Sequence, residues 1–120
     1  MNEFENKGYL KATKLIDDQT IKTISQYFEN KVRRNEWVGK LELAAGDSSK
    51  LGYYADPLIE VMLKECLPYI EEQIEKEIDP TYTFSRIYQE GEELLPHTDR
   101  PSCEISATIN VACTGDIWPI

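Results

Sequence analysis

The sequence predicts an α+β domain with two amphipathic helices in its first 80 residues and strands after them. Apolar residues recur at spacings of three and four from Ile21 to Val32 and again from Ile59 to Ile74. After Pro80 the pattern changes to runs rich in β-branched and aromatic residues that alternate with polar ones. At 120 residues the chain can bury one core, and no linker or repeat divides it.

Composition narrows the classes of function. Hydrophobic residues make up 41% and charged residues 29% of the chain, which is typical of a globular protein. The net charge of -9, with basic residues concentrated only at Lys31–Arg34, argues against nucleic-acid binding. Three cysteines without a Cys-x-x-Cys spacing favour a reduced, cytoplasmic setting. We expect no signal peptide and no membrane partner, because no apolar run reaches the length of a spanning helix.

The first helix is expected to follow a strand. Residues 1–7 are polar and are expected to fray, and Gly8–Ile16 has a mixed pattern that favours a first strand. Asp17 and Asp18 then supply an N-cap and negative charge at a helix start, and the helix should run to about Arg34. Its apolar stripe consists of Ile21, Ile24, Phe28 and Val32.

Basic side chains lie at the C-terminal end of this helix. Lys31, Arg33 and Arg34 suit the negative end of the helix dipole, so we interpret them as solvated helix-end charges in preference to a ligand site. Beyond them, Trp37–Ala45 favours an extended segment, and Gly46–Gly52 has the composition of a loop.

The second helix has clear signals at both ends. Asp56 is an N-cap, and Pro57 suits the first helical position. The helix should end before Asp79-Pro80, because proline disfavours helix in the residue before it. Cys66 lies on the apolar side, so we expect a buried, unreactive thiol. The buried stripe is Ile59, Leu63, Cys66, Ile70 and Ile74.

Two strands are predicted in the C-terminal part, at Thr81–Gln89 and Cys103–Ala112, with a turn at Glu90–Glu93 after the first. The second strand alternates between an apolar and a polar face. Its polar face is typical of a strand that lines a pocket, and equally of one that faces water. The polar set is Glu104, Ser106, Thr108 and Asn110.

The only histidine of the chain lies between these strands, in the segment Leu95–Pro101. In an extended backbone, residues i and i+2 point to the same side, so His97 and Asp99 should converge. An imidazole and a carboxylate are two of the three ligands that bind non-haem Fe(II) in the two-histidine, one-carboxylate triad. On spacing alone, the favoured interpretation is a hydrogen-bonded pair without metal, in an α+β fold of no enzymatic role.

The order of motifs resembles the Fe(II)- and 2-oxoglutarate-dependent oxygenases, in their prolyl-hydroxylase-like branch. The matching pieces are Arg-Ile-Tyr-x-x-Gly at residues 86–91, His-Thr-Asp-Arg at 97–100, and Cys-Glu-Ile-Ser-Ala-Thr-Ile-Asn at 103–110. The stretch from Gly52 through the second helix also resembles the helical lead-in of small microbial and viral members.

The resemblance implies a double-stranded β-helix, the jelly-roll or cupin-like barrel, backed by the N-terminal helices. Residues 1–120 would then form a single domain. Within it, residues 1–80 would be the helical lead-in and support, and residues 81–120 the first core strands with the His-x-Asp motif.

The resemblance also implies a dioxygenase that hydroxylates an unidentified small molecule or peptide while converting 2-oxoglutarate to succinate and carbon dioxide. Its cofactors would be Fe(II) and 2-oxoglutarate, with ascorbate as a reductant. His97 and Asp99 would be metal ligands. Tyr88 would line the pocket near the keto acid, and Thr108 stands where members often place a tyrosine that reaches its far carboxylate.

The chain lacks two parts of the family's site: the third metal ligand and the basic residue that binds the keto acid. The family's third ligand is a second histidine, and a later Arg or Lys pairs with the keto acid, but this sequence has one histidine and no arginine after Arg100. We therefore expect the N-terminal portion of an oxygenase, truncated at its C-terminal end, that binds iron weakly by itself. Unpaired strand edges would favour a homodimer or larger assembly.

Two alternatives come from other classes. A non-catalytic jelly-roll interaction module that has lost the distal half of the site would share the same motifs. A cupin-type metal protein is disfavoured, because cupins use several histidines and this sequence contains one.

Overall fold

The computed structural model describes residues 2–13, 15–34 and 51–115. Within these ranges the structure has three helices and two strands. In chain order they are α1 (Glu3–Lys7), α2 (Asp18–Arg33), β1 (Leu51–Tyr54), α3 (Pro57–Ile74) and β2 (Phe84–Ile87). None of the described helices combines the length and the apolar character needed to cross a bilayer.

Residues 3–7 form α1, so the expectation that they fray is wrong. The side chain of Asn2 accepts the N–H of Glu5 at 2.8 Å, and the Glu5 carboxylate accepts the N–H of Asn2 at 3.3 Å. This reciprocal cap satisfies two donors of a very short helix. Asn2 Nδ2 also donates to the carbonyl of Ile74 at 2.8 Å, which attaches α1 to the end of α3.

The strand predicted at Gly8–Ile16 is wrong for the residues of that range that the structure describes, because none of them belongs to a strand. Gly8 ends α1 with a φ of 78°, a left-handed conformation that glycine adopts without steric cost. The chain therefore turns where an extended start was expected. The predicted segment Trp37–Ala45 lies outside the described residues.

Both long helices begin as predicted, each after an aspartate N-cap. Asp17 accepts the N–H of Thr20 at 2.8 Å, and Asp56 accepts the N–H of Leu58 at 3.0 Å. Ile74 ends α3, ahead of the predicted stop at Asp79-Pro80. The buried positions agree with the predicted stripes and comprise Ile24, Phe28, Cys66 and Ile74.

β1 and β2 pair antiparallel and join distant parts of the chain. Leu51 lies opposite Ile87, and Tyr54 opposite Phe84. The loop predicted over Gly46–Gly52 is therefore wrong at its last two positions, which begin β1. Local composition favoured a loop there, but pairing with a distant strand decides the conformation.

The core joins α2 to the sheet. Ile24, Phe28 and Tyr53 are buried together, and Tyr53 retains only 1% of its exposure. The rings of Phe28 and Tyr53 lie 5.3 Å apart, within the range of favourable aromatic contact. Partly buried side chains pack around this cluster, namely Tyr27, Ile59, Met62, Ile87 and Val111.

Residues after β2 only partly match the predicted elements. The turn at Glu90–Glu93 is confirmed, with Gly91 at a φ of 85° and the N–H of Glu92 donating to the carbonyl of Gln89 at 3.1 Å. The strand predicted at Cys103–Ala112 is wrong: these residues have no regular structure. A strand needs a neighbour for its N–H and C=O groups, and the sheet in the described residues consists of β1 and β2 alone. This sheet is not a double-stranded β-helix, and the predicted barrel stays a prediction.

Candidate metal centre

His97 is oriented by its own backbone. Its Nδ1 lies 2.9 Å from the carbonyl oxygen of Leu95, and a carbonyl can only accept a hydrogen bond. Nδ1 therefore carries the proton, and the lone pair of the neutral ring is on Nε2. This is the arrangement by which metal-binding histidines are commonly oriented, since a hydrogen bond from one ring nitrogen selects the other as ligand.

Nε2 faces the carboxylate of Asp99, as the i, i+2 spacing predicted. The distance from His97 Nε2 to Asp99 Oδ1 is 3.6 Å. Hydrogen bonds from N–H to oxygen span about 2.7–3.2 Å, so this pair is too far apart for one. Two donors bound to one ion at about 2.1 Å would lie about 3.0–3.4 Å apart, depending on the angle. The observed distance lies just outside both ranges, so it fits an ion pair with a protonated His97 as well as two ligands that converge on one ion.

The site is accessible from solvent. The His97 side chain keeps 23% of its exposure and that of Asp99 keeps 47%. Both side chains are carried by the connection after β2, and neither lies in a helix or strand. An ion can therefore reach the pair without any rearrangement of the core.

The second oxygen of Asp99 is held by another part of the chain. Ser106 Oγ donates to Asp99 Oδ2 at 2.6 Å, a short distance that is typical of hydroxyl donors to carboxylates. Ser106 belongs to the polar set predicted for the second strand. That set was identified from the alternation of residues, but its contact with Asp99 was not.

A turn after Asp99 brings the chain back past Thr81 and Tyr82. The N–H of Cys103 donates to the carbonyl of Arg100 at 2.8 Å, and Cys103 Sγ lies 3.9 Å from the hydroxyl of Thr81. The guanidinium of Arg100 lies 5.7 Å from the centre of the Tyr82 ring. Hydrogen bonding with Cys103 and burial raise the pKa of Tyr82. These contacts attach the His97–Asp99 segment to the residues that lead into β2.

Comparison with known proteins identifies no family for this chain. No protein-family model, curated protein or solved structure gives a significant match to this chain. The resemblance to oxygenases therefore depends on the motifs in the sequence and on the geometry of the residues that carry them.

A third protein ligand is not found among the described residues. They contain no group of three or more His, Cys, Asp or Glu side chains placed to share an ion. The sequence has one histidine, so the second histidine of the triad is not in these 120 residues. The described residues supply two donors of types that suit Fe(II).

The two predicted keto-acid residues are placed differently. Tyr88 directly follows β2 and is half-buried, while Thr108 is exposed in the segment that lacks regular structure. Their predicted contact with a keto acid stays a prediction.

A second polar constellation lies in the core, between α2 and the start of α3. Asp56 is 4% exposed. Tyr27 Oη lies 2.8 and 3.0 Å from its two carboxylate oxygens, and Lys31 Nζ lies 2.9 Å from Oδ2. The ammonium of Lys31 also lies 5.3 Å from the centre of the Tyr53 ring. We call Tyr27, Lys31 and Asp56 the buried polar cluster.

The charges of the buried polar cluster support one another. Burial acts to raise the pKa of Asp56, but hydrogen bonds from Lys31 and Tyr27 outweigh it, and the pKa is lower than usual. The hydrogen bond with Asp56 raises the pKa of Lys31. Burial, together with the same carboxylate, raises the pKa of Tyr27. The cluster joins α2 to the N-cap of α3, which is a structural role.

Lys31 was interpreted from the sequence as a solvated helix-end charge, and that interpretation is wrong. Its side chain is only 19% exposed and is paired with Asp56. The sequence did identify Asp56 as an N-cap. The pairing was missed because residues 31 and 56 are distant in sequence and no local pattern connects them.

Proposed function

We propose that this chain carries two of the three protein ligands of the Fe(II) centre of a 2-oxoglutarate-dependent dioxygenase, His97 through Nε2 and Asp99 through Oδ1. The observation that carries the proposal is the orientation of His97, whose Nδ1–H donates to the carbonyl of Leu95 and leaves the Nε2 lone pair facing Asp99. The ordered motifs of residues 86–110 support it independently.

When bound together, Fe(II) and 2-oxoglutarate supply oxygen chemistry that couples decarboxylation of the keto acid to hydroxylation of a substrate. The residues of this chain would prepare the site before that chemistry, by orienting one ligand and leaving the ion access. Leu95 keeps His97 in the tautomer that can bind a metal, and partial exposure of Asp99 leaves the ion a route to the site. Tyr88 and Thr108 remain the proposed contacts of the keto acid.

The first experiment measures binding of Mn(II), as an air-stable substitute for Fe(II), by the loss of the free-ion EPR signal. We expect measurable but weak binding by the wild type, because two ligands do not complete a triad. His97→Ala and Asp99→Asn should each weaken binding by at least about 10-fold, since even outer-shell changes cost about 10–100-fold. Glu90→Gln, which removes an exposed carboxylate from the neighbouring turn, is the matched control.

Three outcomes would change the proposal in different ways. If His97→Ala binds Mn(II) as well as the wild type, the ion is held elsewhere and the pair is not a metal site. If the 120 residues bind Fe(II) tightly and convert 2-oxoglutarate to succinate, the expectation of an incomplete site is wrong, while the assigned chemistry stands. Binding of neither ion would favour the alternative of a non-catalytic interaction module.

Self-association is also proposed. Several large apolar side chains are exposed in the described residues, including Val61 at 54%, Leu95 at 53% and Ile109 at 43%. We expect a dimer or larger assembly in multi-angle light scattering at high protein concentration. A strictly monomeric mass under those conditions would contradict this expectation.

A further inference from the structure

The two faces of the sheet have different surroundings. Successive residues of a strand point to opposite faces, so Tyr53 packs against α2 and is 1% exposed, whereas Tyr54 is 42% exposed. Tyr54 lies opposite Phe84 in the antiparallel register. Both residues therefore lie on the face of the sheet that points away from α2.

A row of planar side chains covers this outer face. The Tyr54 ring lies 5.2 Å from the ring of Tyr82 and 6.3 Å from that of Phe84, which are favourable aromatic distances. At one end, the guanidinium of Arg86 lies 4.2 Å from the centre of the Phe84 ring. At the other end, the guanidinium of Arg100 lies 5.7 Å from the centre of the Tyr82 ring. We call these five residues the aromatic–arginine row.

The row combines two kinds of attraction. Tyr54, in its middle, is the most exposed of the three rings and offers a flat surface on which another ring can stack. A guanidinium that packs on a ring through its flat face has its N–H donors along its edge, and their geometry suits a carboxylate or a phosphate. Arg100 is exposed, so an anionic group can approach it from solvent.

The charge of the chain limits the size of such a ligand. A net charge of -9 repels a long polyanion. Asp99 directly precedes Arg100, which further disfavours a ligand with many negative charges. Distant charges are largely screened beyond about 10 Å at 0.1 M salt, so an anion with one or two charges responds mainly to the nearest guanidinium.

We propose that the aromatic–arginine row binds a small anionic ligand with a flat ring, which stacks on Tyr54 while its carboxylate or phosphate group pairs with Arg100. The row carries this inference because it places an exposed ring and an exposed guanidinium on either side of Tyr82. The inference goes beyond the proposed function and needs no metal, since none of the five residues is a proposed metal ligand.

The experiment titrates the full 120-residue chain, without metal, with naphthoate, naphthyl phosphate and the neutral naphthamide, and follows the amide resonances by NMR. For ligands of this size we expect a dissociation constant on the order of 1 mM for the anions. Naphthamide should bind about 5-fold more weakly, because it lacks the charge that pairs with Arg100. Binding of either anion supports the proposal, and the preferred one identifies the ligand group as a carboxylate or a phosphate.

Two variants separate the contribution of the charge from that of the ring. Arg100→Gln should weaken binding of naphthoate about 5-fold, to the level of naphthamide. Tyr54→Ala should weaken all three naphthyl ligands about 5-fold, because it removes the stacking surface. Arg33→Gln and Tyr9→Ala are the matched controls, at exposed positions in other segments, and should leave binding unchanged.

Several results would overturn the inference. These are equal binding of naphthamide and naphthoate, an unchanged affinity for naphthoate in Arg100→Gln, or no shift of the amides of the row at ten times the expected dissociation constant. Tighter binding of oligothymidylate than of the naphthyl anions would also overturn it, since the row would then serve a nucleic-acid strand. The metal site is tested separately: a chain that binds naphthoate but not Mn(II) retains this inference and loses the proposed function.

Discussion

The buried polar cluster and the His97–Asp99 segment both centre on an aspartate with a basic side chain beside it, but they are built in opposite ways. Asp56 is 4% exposed, and its partners Tyr27 and Lys31 come from another helix. Asp99 is half-exposed, and its neighbours lie within seven residues along the chain. The first arrangement pairs the carboxylate with Lys31 and Tyr27 inside the core, so we expect it to stabilise the fold. The second leaves Nε2 and Oδ1 3.6 Å apart, which is the arrangement proposed to bind an ion.

The largest expected effect contrasts the two aspartate N-caps. Asp56→Ala removes a cap, a buried ion pair and the acceptor of the Tyr27 hydroxyl, whereas Asp17→Ala removes an exposed cap and the acceptor of the Thr20 hydroxyl. Loss of one partner of a buried pair costs about 3–5 kcal/mol, and we expect the lower end because Lys31 retains some exposure. Asp17→Ala should cost about 1 kcal/mol. Urea unfolding followed by circular dichroism measures both, and equal costs would show that Asp56 acts as a cap alone.

The next effect concerns the hydroxyl of Tyr27. Tyr27→Phe keeps the ring in the core and removes the donor to Asp56. Hydrogen bonds to charged groups contribute about 1.5–3 kcal/mol, so we expect the free energy of unfolding to fall by about 2 kcal/mol. Tyr9→Phe is the matched control, since Tyr9 is 64% exposed, and it should have no measurable effect. A fall of the same size in both variants would contradict the role assigned to Tyr27.

Alkaline pH should weaken the buried polar cluster selectively. The folded pKa of Lys31 is raised above its usual value of 10.5, so its contribution is complete below that value and is lost as the pH rises through the folded pKa. We expect the stability difference between the wild type and Lys31→Met to shrink by about 1 kcal/mol from pH 8 to pH 11.5. Lys22→Met, at an exposed position of α2, should show no such change. A difference that is constant with pH would mean that the ion pair contributes no stability.

Sequence reasoning succeeded where the cause of the structure is local. The N-caps at Asp17 and Asp56 and the turn at Gly91 each depend on a few neighbouring residues, and all were predicted. The convergence of His97 and Asp99 also follows from a two-residue spacing. These features need no knowledge of the rest of the chain.

Sequence reasoning failed where the cause is distant. The pairing of β1 with β2 places Leu51 opposite Ile87, and the ion pair joins Lys31 to Asp56. Neither leaves a periodic signal, because each depends on which surfaces meet after folding. The strand predicted at 103–112 had the right alternation but lacks a pairing partner in the described residues, which alternation cannot reveal.

The smallest expected effect tests whether the His97–Asp99 segment is free of a structural role. Without metal, His97→Ala should change the free energy of unfolding by less than about 0.5 kcal/mol, as is usual for exposed positions away from the core. With Mn(II) present at ten times the dissociation constant, the wild type should gain about 1.4 kcal/mol and the variant nothing, because only the folded site binds the ion. Ser102→Ala should gain as much as the wild type.

A loss of more than about 1 kcal/mol in metal-free His97→Ala would exceed what exposed positions normally contribute and would favour a structural pair over a metal site. The buried polar cluster is the reference for this test, because its contribution to stability needs no ion. A carboxylate that stabilises the fold has its partners already in place, as Asp56 does. Asp99 already accepts a hydrogen bond from Ser106, so an ion bound by the pair would add stability beyond that contact, and added stability that depends on the metal and requires His97 separates the two regions.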